Sequence, residues 1–179
     1  MKDQIVKLLP EIKKIKDKNL KEKVILAWEQ GIKEGGWKIE DLERIPFTLL
    51  IKDLRINLIQ HTRAVTHTAY EVGKVLVKLY DDMIGIDLDV LMAGAILHDV
   101  GKLIEYKEIK GRFVKSERGK LLRHPFSGAN LASRCGLPEE VVHVIAVHSK
   151  EGDLAERTVE GTIVYHADYI NFESLGGKI

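Results

Sequence analysis

Leu91-Met92-Ala93-Gly94-Ala95-Ile96-Leu97-His98-Asp99-Val100-Gly101-Lys102 is the stretch on which the reading of this chain turns. Seven residues are apolar or nearly so, and the run then ends in two metal-ligating side chains, a glycine and a lysine. Burying a histidine and a carboxylate costs several kcal/mol unless each is hydrogen-bonded, paired or bound to a metal. The rest of the chain must therefore supply partners for His98 and Asp99.

The bulk composition sets the frame. A length of 179 residues suffices for one domain with a sizeable core and a small extension. The 45% hydrophobic and 31% charged fractions are those of a folded, water-facing protein. No apolar run approaches the ~18 residues of a membrane span, and the polar start does not read as a signal peptide. The single Cys135 excludes an internal disulfide and a thiolate-rich metal site, and a cytoplasmic location is expected. A net charge of +1 leaves any basic site local.

Helical periodicity dominates. Lys2 to Lys16 reads as an amphipathic helix that Pro10 bends or divides. Asn19, with Glu22 three residues on, reads as the cap of a second helix that Gly35-Gly36 stops. A short helical turn is expected over 39–43, whereas Phe47 to Ile51 reads equally as extended chain or buried connector. The longest helix is predicted from about Leu54 to Tyr80, with Leu58, Val65, Ala69, Val72, Leu76 and Leu79 along one stripe. His61 falls on that stripe and His67 on the solvated face. Asp87 caps the next helix, and Gly101 reads as its C-terminal stop.

Between Lys102 and Arg123 the apolar period disappears. Eight basic residues face three acidic ones there, so a loop or small hairpin lying over an anion is one reading and a solvated connector the other. His124-Pro125 opens a further helix, and Pro138-Glu139-Glu140 another, on which His148 shares a face with Val141 and Ile145. On a last helix from Arg157 or Thr158, Asp168 aligns with Gly161, Val164 and Asn171, while His166 points away. Six inward candidates result: His61, His98, Asp99, His124, His148 and Asp168. As nitrogen and oxygen donors they suit one or two divalent ions drawn from Mn, Fe, Co, Ni, Zn or Mg. Singly, each has a plainer role as a hydrogen-bonded core residue or helix cap.

The order His61, His98-Asp99, Asp168, with Leu97-His98-Asp99-Val100-Gly101-Lys102 at its centre, resembles the HD-domain superfamily of metal-dependent phosphohydrolases. His124-Pro125-Phe126-Ser127 and His148-Ser149-Lys150 look like that family's third and fourth histidine segments. The resemblance implies an all-α HD-domain helical bundle, with residues 54–179 as the HD domain and 1–53 as an N-terminal helical extension packed on it. It implies that His61, His98, Asp99 and Asp168 bind a first metal, and that His124 and His148 complete a second site bridged by Asp99. Lys102 then contacts substrate. The expected activity is hydrolysis of a phosphomonoester or phosphodiester, of a nucleotide or short oligonucleotide, through a metal-activated water. Asp99 and Lys102 are the expected catalytic residues, and Lys102, Arg112 and Arg123 the expected substrate contacts. A homo-oligomer is left open, and nucleic acid enters only as a short substrate. An HD-fold di-iron oxygenase acting on a polyol or phosphonate, and a non-catalytic signalling module, are the competing readings.

Overall fold

In a computed structural model the protein is described over residues 1–51, 55–80 and 83–178. The expected start of the longest helix and the expected boundary at 53/54 fall on or beside 52–54, outside the described residues. Helix α1 (Lys2–Leu8) is followed by a 3₁₀ turn at Pro10–Lys14, so Pro10 divides the first amphipathic segment. Helix α2 (Lys18–Gly35) ends at Gly36, which adopts φ 71°. Its cap is not Asn19 but Asp17, whose carboxylate accepts from the Leu20 amide at 2.9 Å. An aspartate two residues earlier answers the first-turn orphan amides and lengthens the helix.

Helix α3 spans Leu58–Tyr80 and α4 spans Leu88–Leu97, capped by Asp87. The short α5 (Lys102–Glu105) leads into a two-stranded antiparallel hairpin, β1 (Tyr106–Ile109) and β2 (Arg112–Lys115). Lys110 and Gly111 form its turn with φ 50° and 75°, the left-handed pair that matches strand twist. Then follow α6 (Glu117–Leu121), α7 (His124–Arg134), α8 (Glu139–Val147) and α9 (Val159–Ser174), the last capped by Thr158. Among the described residues the hairpin is the sole sheet, and the architecture is all-α. No helix there is long and apolar enough to cross a membrane.

Helix α4 is the axis of the molecule. Leu91 through Leu97 are all buried, because α2, α3, α8 and α9 surround it. A Cβ on Gly94 would lie 2.5 Å from Val144, and one on Gly73 would lie 2.5 Å from Leu91, so α8 and α3 approach α4 closely. Of the apolar stripe of α3, Leu58, Val65 and Ala69 are buried and Leu76 packs half-buried on the core, whereas Val72 and Leu79 are exposed. One continuous buried cluster joins Ile5, Leu9, Ile12 and Trp28 of the N-terminal segment to Met92, Ile96, Leu97 and Val100.

Candidate metal centre

Two helices deliver their histidines by the same local device. His98 follows the last turn of α4 and His148 the last turn of α8. Each donates Nδ1–H to the carbonyl three residues back, Ala95 and Ile145 respectively, at 2.7 Å. A carbonyl only accepts, so both rings carry a proton on Nδ1 and turn Nε2 inward. Pro125 places His124 at the head of α7, and His61 comes from the first turn of α3. The close approaches at Gly73 and Gly94 bring these ends together.

Asp99 lies at the centre, 1% exposed, and presents one oxygen to each of two groups. Its Oδ2 is 3.6 Å from His61 Nε2 and 3.3 Å from His98 Nε2, with Asp168 Oδ1 at 2.9 Å from His61 Nε2. Its Oδ1 is 3.3 Å from His124 Nε2 and 3.8 Å from His148 Nε2. His61, His98 and Asp99 offer donor atoms all within 4.8 Å of one another, and so do Asp99, His124 and His148. All six expected ligands thus converge.

These donors fit a divalent cation by a test independent of their order in the sequence. His98 Nε2, His148 Nε2 and Asp99 Oδ1 are buried and make no hydrogen bond. Each buried polar atom left unmatched costs about 1–3 kcal/mol, and two unmatched imidazole nitrogens beside a carboxylate with an unmatched oxygen of its own form a donor set that could hold a cation. An all-nitrogen-and-oxygen set suits first-row divalent ions and Mg²⁺.

The charges are tuned to match. Burial pushes His148 down to about 3, helped by His98 and His124, so its imidazole is neutral near pH 7. Burial likewise lowers His61, against the opposing pull of Asp168. Desolvation works against the carboxylate of Asp99, but the Lys102 ammonium and then His98 hold it well below the ordinary range. Burial also disfavours the Lys102 charge, which Asp99 more than offsets, so Lys102 stays protonated.

Lys102 is buried, with Nζ donating to Asp99 Oδ2 and to the Phe47 carbonyl, both at 2.6 Å. The Phe47 ring stacks on His61, with centroids 4.1 Å apart and planes at 20°. The segment that the apolar pattern left undecided is a non-helical connector, buried at Phe47 and Thr48 and exposed at Leu49 and Leu50, and it forms one wall of the site. A cavity of about 270 Å³ opens beside the cluster and reaches it at Lys102, His124 and Asp168. Its lining combines Leu49, Leu50, Tyr169 and Phe172 with the cationic Lys115, Arg123 and Lys150 and the carboxylates of Glu105 and Glu151.

Arg112 takes no part in that lining. It sits beside the hairpin turn, opposite Ile109 and exposed, because the turn at Lys110-Gly111 carries it to the far end of the ladder. The basic segment contributes Lys115 and Arg123 instead. Much of its remaining charge is paired at the surface, as in Lys107 with Glu117 at 3.1 Å. His67 and His166 are exposed, and His143 Nε2 accepts from the Thr158 amide at 3.3 Å.

Glu105 is a site residue that periodicity overlooks. It is buried, and its Oε2 accepts from His124 Nδ1 at 2.8 Å and from the His124 amide at 2.7 Å. Burial alone would raise its pKa, and the hydrogen bond from His124 reverses that. A signal existed: a carboxylate between Leu103-Ile104 and Tyr106 poses the same burial problem as Asp99.

The HD domain family model matches residues 58–172, well over half of the sequence. The chain belongs to the HD-domain family. It is 32% identical over 115 residues to a Ribonuclease Y of Acidothermus cellulolyticus, which covers 64% of this HD protein and 19% of that relative. It is 29% identical over 175 residues to a dihydroneopterin 2',3'-cyclic phosphate phosphodiesterase of Methanocaldococcus jannaschii, covering 93% of this chain and 67% of the other. The chain therefore spans about a fifth of the Ribonuclease Y sequence and two thirds of the phosphodiesterase. No solved structure gives a significant match.

Proposed function

We propose that this HD protein is a metal-dependent phosphodiesterase acting on a cyclic phosphate or short oligonucleotide. The observation that carries the reading is the division of Asp99, with one oxygen toward His61 and His98, the two histidines that Asp168 also faces, and the other toward His124 and His148. Two divalent ions held by those residues, when bound, supply Lewis acidity to a phosphoryl oxygen and lower the pKa of a water. His61, His98, Asp99 and Asp168 would hold one, and Asp99, His124 and His148 the other.

The chain's own residues perform the rest. Lys102 keeps a fixed positive charge against Asp99, within reach of the cavity, where negative charge develops on the phosphoryl oxygens. Lys115, Arg123 and Lys150 offer further cations to phosphate, which supports an anionic substrate. Tyr169, Phe172 and the two leucines offer ring-sized apolar contact, which supports a substrate with a planar base or pterin-like group. The size of the cavity favours a small phosphorylated molecule or a strand end over a duplex. Both named relatives act, by their names, on phosphodiesters, which supports a diester over a monoester. A cytoplasmic setting is part of the same proposal.

The test is a panel of 2',3'-cyclic nucleotides, short oligoribonucleotides and p-nitrophenyl phosphate, run anaerobically with Mn²⁺ or Co²⁺. Diester turnover that chelation and Asp99→Ala both abolish is expected. Turnover that survives Asp99→Ala, or oxygen uptake without phosphoester cleavage in a parallel aerobic assay with Fe²⁺, would overturn the reading.

A further inference from the structure

We propose that Glu105 is a positioning residue that aims the His124 imidazole and thereby controls cation binding by Asp99, His124 and His148. The proposal rests on the metal-dependent reading above. Of the three histidines whose Nδ1 is anchored, His98 and His148 use a neutral carbonyl of their own helix. His124 alone uses a carboxylate, and that carboxylate comes from a different element. Glu105 also takes the His124 backbone amide, so ring and main chain are held by one oxygen, Oε2. A carboxylate behind an imidazole fixes its tautomer and makes the opposite nitrogen a stronger donor. Here the opposite nitrogen is Nε2, 3.3 Å from Asp99 Oδ1.

The carboxylate is itself held still. The Glu105 carbonyl accepts from the Ser116 amide at 2.7 Å, and a Cβ on Gly119 would lie 2.2 Å from the same carbonyl oxygen. Its second oxygen, Oε1, faces Arg123 Nε at 3.3 Å and Lys115 Nζ at 3.6 Å. These two cations line the cavity. One carboxylate thus connects the cations offered to substrate with the ring offered to metal. Cation affinity and substrate affinity are linked through it: loss of its charge weakens one group of metal donors, releases Lys115 and leaves Arg123 paired with Glu151 alone, 3.5 Å away.

The test compares wild type, Glu105→Gln and Glu105→Ala, first stripped of metal and then titrated with Mn²⁺ by calorimetry and by electron paramagnetic resonance. Wild type is expected to take two ions. Both variants should retain one event and show the other weakened by about 10- to 100-fold. Nitrogen-15 resonance of the histidine rings should find His124 as the Nδ1–H tautomer in wild type and as a mixture in Glu105→Gln. A purely structural Glu105 would lower the melting temperature while leaving both Mn²⁺ affinities and the tautomer unchanged, which overturns the proposal. A wild type that takes two ions alongside a Glu105→Gln that takes two equally well overturns it while leaving the metal-dependent reading intact. A wild type that takes none overturns both. Should neither variant fold, His124 found as the Nε2–H tautomer in wild type overturns the proposal, and the Nδ1–H form supports it.

Discussion

Gly101→Ala sets two physical effects against each other. Gly101 adopts φ −62° and ψ −19°, a right-handed helical conformation that alanine prefers. If backbone freedom were all that mattered, alanine would stabilise the protein by about 0.4–1 kcal/mol. Space says the opposite. A Cβ at 101 would lie 2.1 Å from the His124 carbonyl oxygen and 2.7 Å from the Gly128 amide nitrogen. Both belong to the backbone of α7, so no side chain can swing aside, and α7 must retreat by more than an ångström to reach the 3.4 Å of ordinary contact. Overpacking of this kind costs about 1–3 kcal/mol or more and exceeds the conformational gain. At about 2–4 °C per kcal/mol for a chain of this size, melting should fall by roughly 3–10 °C. The retreat also draws His124 away from Asp99, now 3.3 Å distant, so Mn²⁺ affinity should fall with it. Thermal melting and Mn²⁺ titration read both effects, with Gly85→Ala as control, since nothing lies within 4 Å of a Cβ there. An unchanged or raised melting temperature with unchanged Mn²⁺ affinity would refute the steric argument.

Three further outcomes are expected. Lys102→Met leaves Asp99 without its ammonium, a loss of about 3–5 kcal/mol for a broken buried pair; Mn²⁺ should restore much of it, and equal melting deficits in chelator and in Mn²⁺ would contradict this. Chelation should lower the wild-type melting temperature by roughly 5–10 °C, the equivalent of about 2.7 kcal/mol at a hundredfold excess over Kd, so an unshifted melt counts against cation binding. Burial raises Tyr106 to about 12 from its ordinary 10. The neutral phenol is favoured in the native state, so its contribution is complete below pH 10 and is lost as pH rises from 10 through 12. The loss is on the order of 2–3 kcal/mol, Tyr106→Phe should lack it, and parallel urea stability profiles for the two proteins across that range would exclude the effect.

What the chain discloses before folding follows from the nature of its signals. Period-3.6 stripes carry His61, His148 and Asp168 inward, and the burial cost of His98-Asp99 calls for exactly such partners; the helices then bring all six together. Gly101 shows where local rules stop. It reads as a left-handed helix stop, yet it remains right-handed, and its need is room for α7, a neighbour distant in sequence. Arg112 and Lys115 belong to one basic run, and only the register of the hairpin separates the exposed residue from the one at the cavity. The capping of α2 by Asp17 over Asn19 turns on a single residue among several competent caps.

The bond from Lys102 to the Phe47 carbonyl has a consequence for how such a site diverges. A main-chain oxygen is present whatever side chain stands at position 47, so the anchor of the lysine survives any substitution that preserves the path of the backbone. The side chains of Leu49 and Leu50, which also line the cavity, carry no such obligation. The anchor of the lysine and the lining of the cavity are thereby supplied by different atoms of one segment, and mutation can alter the lining through its side chains while the lysine stays where it is.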